Sequence, residues 1–246
     1  DDLTPDEGNS LVWLPLYHIT GFVHTALQPL ARGGTLYIRS AANWDAKEAM
    51  ATIEREKISS FIGVTAMYAD MVDDDSFGDY DLSSLVTASE GGAKLTGAVQ
   101  DAFEETAGVT IKEAYGLTET TGSTHTQVGS LYGPRHGTVG QQERHTDCRI
   151  VDSNGDEVPL GETGEILVRG PQVMEGYHNR PKANEQAFTD AGFFRTGDIG
   201  RRDEEGYYEI VDRKKHVIVT AGYNVYPSEV ENLLADHESV RAAAVV

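Results

Sequence analysis

Short apolar runs alternate with segments of helical periodicity over the first half of the chain. The apolar runs predict strands, at 10–15, 35–38, 60–64, 85–88 and 109–114. The periodic segments predict helices, at 20–31, 46–53, 65–72 and 96–106. Because strands that alternate with helices are joined by right-handed crossovers, this pattern predicts an α/β fold with a mostly parallel sheet. Ligands of such sheets bind in loops at the carboxyl ends of the strands.

The pattern changes to strands and turns from about residue 137. A run at 148–151 leads into Asp152-Ser153-Asn154-Gly155-Asp156, which is a strong hairpin turn signal. Further strands are predicted at 164–170, 192–198, 207–211 and 217–220, with a helical turn at 184–188. A charged bend occupies 212–215, and a last helix is predicted at 227–235 because it opens on Pro-Ser. This half is therefore expected to be β-rich.

The segment 113–122, E-A-Y-G-L-T-E-T-T-G, carries the most chemistry for its length. It follows a β-type run at 109–111 and so falls at the carboxyl end of a predicted strand. Its Tyr115 ring can stack a base, its threonine hydroxyls can donate to a phosphate, and Glu119 is a hard oxygen ligand for Mg²⁺. Its two glycines permit close backbone approach. An ordinary polar turn after a strand explains the same residues equally well.

The net charge and the cysteine content limit the possible binding partners and the cellular compartment. The 246 residues include 40 acidic and 20 basic side chains, for a net charge of −20. Nucleic acid and anionic lipid are disfavoured as partners, because both require basic patches. Heavy acid loading also resembles proteins of salt-loaded cytoplasm, whose self-repulsion is screened by salt. The single cysteine, Cys148, excludes an intrachain disulfide, and no apolar run is long enough to span a bilayer. A cytoplasmic protein is expected.

Several separated motifs together resemble the adenylate-forming enzymes, the superfamily of acyl-CoA synthetases, peptide-synthetase adenylation domains and beetle luciferases. They are L-P-L-Y-H at 14–18, G-G-A at 91–93, Y-G-L-T-E-T-T-G at 115–122, G-E-I at 164–166, G-F-F-R-T-G-D at 192–198 and the run 212–231. The resemblance runs nearly end to end. It implies three parts: 1–124 as the α/β part of a large adenylating domain, 125–211 as its β-rich subdomain, and 212–246 as a hinge and the start of a small α+β C-terminal domain.

The resemblance also implies roles for residues in the first half. Tyr115 would stack the adenine beside Gly116, Thr118 would bind the α-phosphate, and Glu119 would hold Mg²⁺. The backbone of Gly91, Gly92 and Ala93 would border the adenine and acyl pockets. His18 would border the acyl pocket, although a lone histidine is as often a structural group.

In the second half, the resemblance implies that Asp198 accepts both ribose hydroxyls and that Arg213 touches the same ribose. Lys215 would lie at the hinge about which the small domain rotates, and Gly222 would lie beside the pantetheine arm of CoA. Each has a plain alternative: Asp198 as a turn aspartate, and Arg213 with Lys215 as a solvated charge run.

The reaction implied by the resemblance has two steps. A carboxylate attacks the α-phosphorus of ATP and expels pyrophosphate, with Mg²⁺ stabilising the phosphoryl charge, and the thiol of CoA then displaces AMP. The run G-Y-N-V-Y-P at 222–227 is similar to fatty and aryl acid-CoA ligases. Residues 14–21 lack the aspartate with which peptide synthetases pair a substrate ammonium. A fatty acid is the first expectation and an aryl acid the second, and the sequence specifies no oligomeric state.

Two features of the family pattern are missing. No Thr/Ser/Gly-rich phosphate loop with its lysine precedes Leu14, and no lysine follows Lys215. We therefore expect the 246 residues alone to bind adenine nucleotide weakly and to form no adenylate. Two interpretations follow: a fragment of a synthetase, which we favour, left by incomplete gene assembly or cloning, or a non-catalytic adenine-nucleotide-binding or interaction module.

Overall fold

The structure of the chain, a computed structural model, describes residues 8–91, 95–220, 223–235, 237, 240 and 243–245. It consists of two compact units, Asp1–Gly140 and Gln141–Val246. Within the described residues, no helix is long and apolar enough to cross a membrane.

The first unit is built on a mostly parallel sheet, which confirms the predicted α/β class. Its strands are β1 (Asn9–Val12), β2 (Thr35–Ile38), β3 (Ile58–Gly63), β4 (Thr87–Gly91), β5 (Ile111–Leu117) and β6 (Gly122–Thr126). They lie in the order β2-β1-β3-β4-β5-β6. The first four pairings are parallel, whereas β5 and β6 pair antiparallel.

Helices connect the parallel strands of the first unit. A π-helical segment at Thr20–Leu27 continues into α1 (Gln28–Ala31), followed by α2 (Ala46–Glu56), α3 (Thr65–Val72) and α4 (Gly97–Ala107). Asp45 begins α2 by accepting a hydrogen bond from the Glu48 N–H at 2.9 Å. Lys57 and Gly108 end α2 and α4 in the left-handed conformation.

The fourth strand begins two residues later than its apolar pattern predicted. Leu85 is buried, but its N–H donates to Leu82 in a turn, so its apolar character reflects packing under that turn. The strand itself starts at Thr87 and runs to Gly91, beyond the predicted end at 88. A buried apolar residue at this position is therefore not evidence that the residue pairs in a strand.

The core of the first unit contains a continuous series of aromatic rings. Successive centroids lie 5.1 to 6.3 Å apart along Trp13, Trp44, Phe61, Tyr68, Phe103 and Phe77. The hydroxyl of Tyr68 lies 3.1 Å from the Phe61 carbonyl oxygen on β3 and 2.9 Å from the Ser89 carbonyl oxygen on β4. Burial, and secondarily the charge of Glu90, raises the pKa of Tyr68, so its hydroxyl stays a donor.

The second unit is mainly antiparallel. After the short β7 (Gln141–Gln142) come β8 (Asp147–Val151), β9 (Gly164–Arg169), β10 (Phe194–Arg202) and β11 (Tyr208–Arg213), which pair in the order β11-β10-β9-β8. A hairpin of β12 (Ile218–Thr220) and β13 (Tyr223–Val225), with helices α5 (Pro181–Ala187) and α6 (Pro227–Ala235), completes the described elements. The guanidinium groups of Arg149 and Arg169 lie 4.5 and 4.4 Å from the buried Phe193 ring.

The hairpin turn predicted after β8 is present. The side chain of Asp152 accepts hydrogen bonds from the N–H groups of Asn154 and Asp156 at 2.8 and 3.0 Å. These bonds lower the pKa of Asp152. Gly155, with φ of +91°, supplies the left-handed backbone that the turn requires.

Candidate functional site

The carboxyl ends of β1, β3, β4 and β5 share one edge of the first unit's sheet, because these strands are mutually parallel. Gly91 lies at the end of β4 and pairs in register with Ala114 on β5, so it neighbours the Tyr115 segment. His18 follows β1 and is exposed, and its Nδ1 accepts a hydrogen bond from the Thr20 N–H at 3.2 Å. Gly92 and Ala93, which the sequence also assigns to this edge, lie outside the described residues.

A tight turn follows β5 and carries the predicted phosphate and metal residues. It consists of a single 3₁₀ turn at Thr118–Thr120, Thr121 in the left-handed region at φ +56°, and Gly122 at φ +126°. Thr118 is exposed and Glu119 is half-buried. These two side chains therefore stand at the carboxyl edge, beyond the end of a parallel strand.

Thr120 has a different role from its neighbouring threonines, because it is fully buried. Its Oγ1 accepts the Leu117 N–H at 2.9 Å and lies 2.7 Å from the Gly122 carbonyl oxygen, to which it donates. The hydroxyl thus closes the turn from inside. The Thr120 hydroxyl is therefore used in the protein's own backbone bonding.

Gly116 is required by the approach of β6 to β5. A Cβ at this position would lie 1.8 Å from the Gly122 carbonyl oxygen and 2.7 Å from the Ser123 Cα. No side chain can be accommodated, because the clash is with backbone rather than with a movable side chain. The close approach predicted from the glycines therefore exists between the two strands themselves.

Tyr115 packs against His125 on β6, with ring centroids 5.7 Å apart and an interplanar angle of 47°. His125 is fully buried, and its burial lowers the pKa of the imidazole to about 3. Its Nδ1 lies 3.0 Å from the Thr124 hydroxyl. Tyr115 therefore rests on a neutral ring at physiological pH.

Two buried carboxylates lie just before the Tyr115 segment. Glu90 and Glu113 are register partners on β4 and β5 and are 2% and 3% exposed. The Thr65 hydroxyl donates to Glu90 Oε1 at 3.1 Å, and Gln127 Oε1 accepts the Glu113 N–H at 3.2 Å. Neither carboxylate was assigned a role from the sequence, because a glutamate in a sequence does not indicate whether the fold will bury it.

The second unit brings Asp198 and Arg213 together. They are cross-strand partners on β10 and β11, and Arg213 Nε lies 2.7 Å from Asp198 Oδ1. The Asp198 side chain is 2% exposed, whereas that of Arg213 is 50% exposed. The Asp198 N–H also donates to Thr196 Oγ1 at 3.1 Å. Asp198 is therefore a held, charge-paired carboxylate rather than a solvated turn residue.

Two buried acids, Asp212 and Glu165, form bonds at the charged bend 212–215. Lys214 Nζ lies 2.9 Å from Glu165 Oε2 on β9, and the Glu165 side chain is 6% exposed. Asp212 is also buried, and its Oδ2 accepts the Ser228 N–H at 2.9 Å in the first turn of α6. Lys215 is exposed. Lys214, to which no role was assigned from the sequence, is therefore the lysine that forms an ion pair with a buried acid. Gly222 lies outside the described part of the chain.

In the part of the chain that the structure describes, no group of three or more His, Cys, Asp or Glu side chains could hold a metal ion. Glu119 offers a single half-buried carboxylate. Mg²⁺ commonly binds through one or two carboxylates, with phosphate oxygens and waters completing its octahedron. The chemistry of Glu119 therefore fits a nucleotide-bound Mg²⁺ and does not form an all-protein site.

A family model described as AMP-binding enzyme matches residues 2–178. The chain belongs to the AMP-binding enzyme family. A feruloyl-CoA synthase from Amycolatopsis sp is 35% identical over 245 residues, which are 100% of this chain and 49% of the synthase. A long-chain-fatty-acid–CoA ligase from Yersinia pestis is 35% identical over 246 residues, covering 99% of this chain and 43% of the ligase.

Solved structures of adenylate-forming enzymes resemble this chain along nearly its whole length. The amide bond synthetase McbA from Marinactinospora thermotolerans has a TM-score of 0.88 and 30% identity, covering 100% of this chain and 49% of the synthetase. O-succinylbenzoate coenzyme A synthetase from Bacillus subtilis, in complex with ATP and magnesium ion, has a TM-score of 0.86 and 28% identity, covering 98% and 49%. The chain thus spans about half the length of these relatives.

Proposed function

We propose that this chain is part of an ATP-dependent carboxylic acid-CoA ligase. The carrying observation is the turn at Thr118–Thr120, which presents Thr118 and Glu119 beyond Tyr115 at the carboxyl edge of a parallel sheet. Family membership and relatives named as CoA synthases and ligases along 99 to 100% of the chain support this proposal. The alternative of a non-catalytic module is not favoured, because those relatives are named for the reactions they catalyse.

In the proposed reaction, a carboxylate oxygen of the acid attacks the α-phosphorus of ATP, and the bond to pyrophosphate breaks. The sulfur of CoA then attacks the acyl carbon, AMP leaves with the bridging oxygen, and the thiol proton passes to solvent. Little covalent chemistry is required of the protein in either step. Positioning and charge stabilisation supply most of the rate enhancement.

In the first unit, we assign Tyr115 to stacking of the adenine and Thr118 to a hydrogen bond with the α-phosphate. Glu119 would hold Mg²⁺, which supplies charge neutralisation at the phosphates when it is bound. Gly116 and Gly91 keep their proposed places beside the adenine, although the Cβ side of Gly116 is filled by the Gly122 carbonyl oxygen. The neutral His125 behind Tyr115 supports this assignment, because it holds the tyrosine ring without adding positive charge beside the adenine.

In the second unit, we assign Asp198 to the ribose hydroxyls, and Arg213 to the same ribose. A carboxylate can accept two hydrogen bonds from a vicinal diol. The Asp198–Arg213 pair supports this role, since it holds the carboxylate in a fixed orientation. Lys215 and Gly222 keep their proposed roles at the hinge and beside the pantetheine arm, and His18 keeps its role beside the acyl group.

For the acid, we propose a fatty acid first and an aryl acid second. Relatives named long-chain-fatty-acid–CoA ligase and feruloyl-CoA synthase are each 35% identical to this chain, so they support both classes equally. A competition experiment distinguishes the two classes: the complete protein is given palmitate and ferulate together, and the two CoA thioesters that form are measured. A preference for ferulate would reverse our order.

The test of the proposed function is acid-dependent ATP–pyrophosphate exchange by the complete protein. Replacing Glu119→Gln removes the charge that would hold Mg²⁺ and should lower the exchange rate by at least about 100-fold. Circular dichroism should remain unchanged, because the half-buried Glu119 is replaced by a near-isosteric amide. Glu105→Gln, at an exposed position of α4, is the matched control and should keep full activity. An unchanged rate in Glu119→Gln would contradict the metal role.

The isolated 246-residue chain gives a second test of the proposal. We expect it to show no acid-dependent exchange, because no phosphate-loop lysine and no lysine after Lys215 are present in it. Measurable exchange by this chain, in a preparation free of other ligases, would show that the missing groups are not needed.

A further inference from the structure

The strand that follows the turn with Thr118 and Glu119 donates a hydrogen bond to a distant part of the first unit. His24 Nε2 accepts the Ser123 N–H at 3.3 Å, across a separation of 99 residues. His24 is half-buried in the π-helical segment Thr20–Leu27, which follows β1. Ser123 is the second residue of β6, directly after the turn.

The imidazole also packs directly against the backbone of the turn. A Cβ placed on Gly122 would lie 2.3 Å from His24 Nε2 and 3.0 Å from its Cε1. Gly122 has φ of +126°, a conformation that side chains rarely adopt. The glycine therefore satisfies two demands together: the left-handed turn and the space that the histidine ring occupies.

His24 itself is held in place from the other side. The Thr25 hydroxyl donates to the Gly21 carbonyl oxygen at 2.6 Å, and Gly21 sits so close to Pro15 that a Cβ would lie 2.2 Å from the Pro15 carbonyl oxygen. The π-helical segment is thus pinned to the loop after β1 just before it presents His24. π-helical turns of this kind are frequent at functional sites, because they redirect a side chain within a helix.

The Thr120 hydroxyl bonds to Leu117 and Gly122 within the turn, and β5 and β6 pair on either side of it. The bond from Ser123 to His24 additionally ties the start of β6 to the segment after β1. We propose that His24 is a positioning residue: its Nε2 lone pair fixes the Ser123 N–H and its ring edge fixes Gly122, which together hold Thr118 and Glu119 at the carboxyl edge. The consequence for nucleotide binding rests on the proposed function. The anchoring contact itself does not.

The proposal specifies the protonation of the ring. A nitrogen that accepts an N–H must be unprotonated, so neutral His24 carries its proton on Nδ1. Selective ¹⁵N-histidine labelling of the 246-residue chain reads this directly, through the ring nitrogen shifts of the wild-type protein. The Nδ1–H tautomer is expected, and an Nε2–H tautomer or a protonated ring at pH 7.5 would overturn the proposal.

Two substitutions of His24 distinguish its role as a hydrogen-bond acceptor from its role in packing. His24→Gln places an amide oxygen near the Nε2 position, whereas His24→Met fills similar space with only a weak acceptor. By amide hydrogen exchange of the isolated chain, His24→Met should speed exchange at Ser123 by about 10-fold or more, which corresponds to about 1.4 kcal/mol. His24→Gln should stay near the wild-type rate. Equal rates in all three proteins, or equal acceleration in both variants, would refute the acceptor role.

Enzyme kinetics of the complete protein test whether the contact with His24 also positions Thr118 and Glu119. His24→Met should raise KM for MgATP and lower pyrophosphate exchange, and His24→Gln should restore most of both. His136→Gln is the control, because His136 is a half-exposed imidazole elsewhere in the same unit. If exchange at Ser123 responds as expected while the kinetics do not, positioning of the two site residues is refuted. Failure of the ligase assignment would instead appear as no acid-dependent pyrophosphate exchange by the wild-type complete protein.

Discussion

Acidification should destabilise the first unit through His125. The imidazole is fully buried, and its burial lowers the pKa to about 3 in the folded protein, against about 6.5 in an unfolded chain. Between these two values the unfolded chain binds a proton that the folded protein does not bind. Stability therefore rises with pH through this window, and this contribution is fully present only above about pH 6.5.

The magnitude follows from the linkage relation. Each pH unit inside the window changes the free energy of unfolding by up to about 1.4 kcal/mol for one proton. Lowering the pH from 6.5 to 5.0 should therefore remove about 2 kcal/mol, a substantial share of the roughly 5–15 kcal/mol that stabilises a typical domain. Other groups titrate in the same range, so the quantity to compare is the difference between the wild-type protein and a variant without this imidazole.

Urea unfolding followed by tryptophan fluorescence measures this difference. The chain has two tryptophans, Trp13 and Trp44, and both pack in the core of the first unit. The stability advantage of wild type over His125→Gln should shrink by about 2 kcal/mol between pH 6.5 and 5.0. A wild-type advantage over His125→Gln that stays constant with pH would refute the reasoning.

Other parts of the structure lead to four further expectations, each measurable by the same urea assay. Phe103→Ala should lower the free energy of unfolding by about 3–5 kcal/mol, because Phe103 is fully buried between Tyr68 and Phe77. Phe22→Ala, at a ring that is 47% exposed, should lower it by under about 1 kcal/mol. Equal losses in the two variants would contradict the core assignment. Tyr68→Phe should lower the free energy of unfolding by about 1–2 kcal/mol, because it removes the hydroxyl that donates to a carbonyl oxygen of β3 or β4. An unchanged free energy would show that this hydrogen bond does not stabilise the fold. Thr120→Val should cost about 1–3 kcal/mol by leaving the Leu117 N–H without its acceptor, which faster amide exchange at Leu117 would confirm. Stability should also rise with KCl, because a net charge of −20 repels itself; full stability in dilute buffer would contradict this.

Local signals were sufficient to predict much of the fold. The bounds predicted for α3 and α6, 65–72 and 227–235, are those of the structure, because apolar spacing and the Pro-Ser start of α6 act within one or two turns. The alternation of strands and helices likewise predicted the mostly parallel sheet. The strand at 122–126 was missed. Its polar sequence, G-S-T-H-T, has no strand pattern of its own and depends on pairing with β5.

The pairings between distant residues could not be predicted from local pattern. Lys214 and Glu165 are 49 residues apart, and nothing in D-R-K-K distinguishes the lysine that meets a buried acid from its neighbour, Lys215. The choice depends on which side of the bend faces β9, and that is decided by the strand register of the second unit. Buried acids such as Glu90 and Glu113 raise the same difficulty, because a glutamate in a sequence does not indicate whether it will be covered.

The segment 113–122 shows how these two kinds of information combine at one site. Its internal shape is local: Gly116 admits the neighbouring strand, Thr120 closes the turn, and Gly122 adopts the left-handed backbone. These requirements act within a few residues, so sequence inspection could identify the segment as a turn that carries hydroxyl and carboxylate groups. Its placement is different, because the hydrogen bond from Ser123 ends on His24 in a segment 99 residues earlier. The motif therefore encodes the shape of the turn, whereas the fold that joins β1 to β5 and β6 supplies its position, and chemistry that depends on placement within about 1 Å needs both.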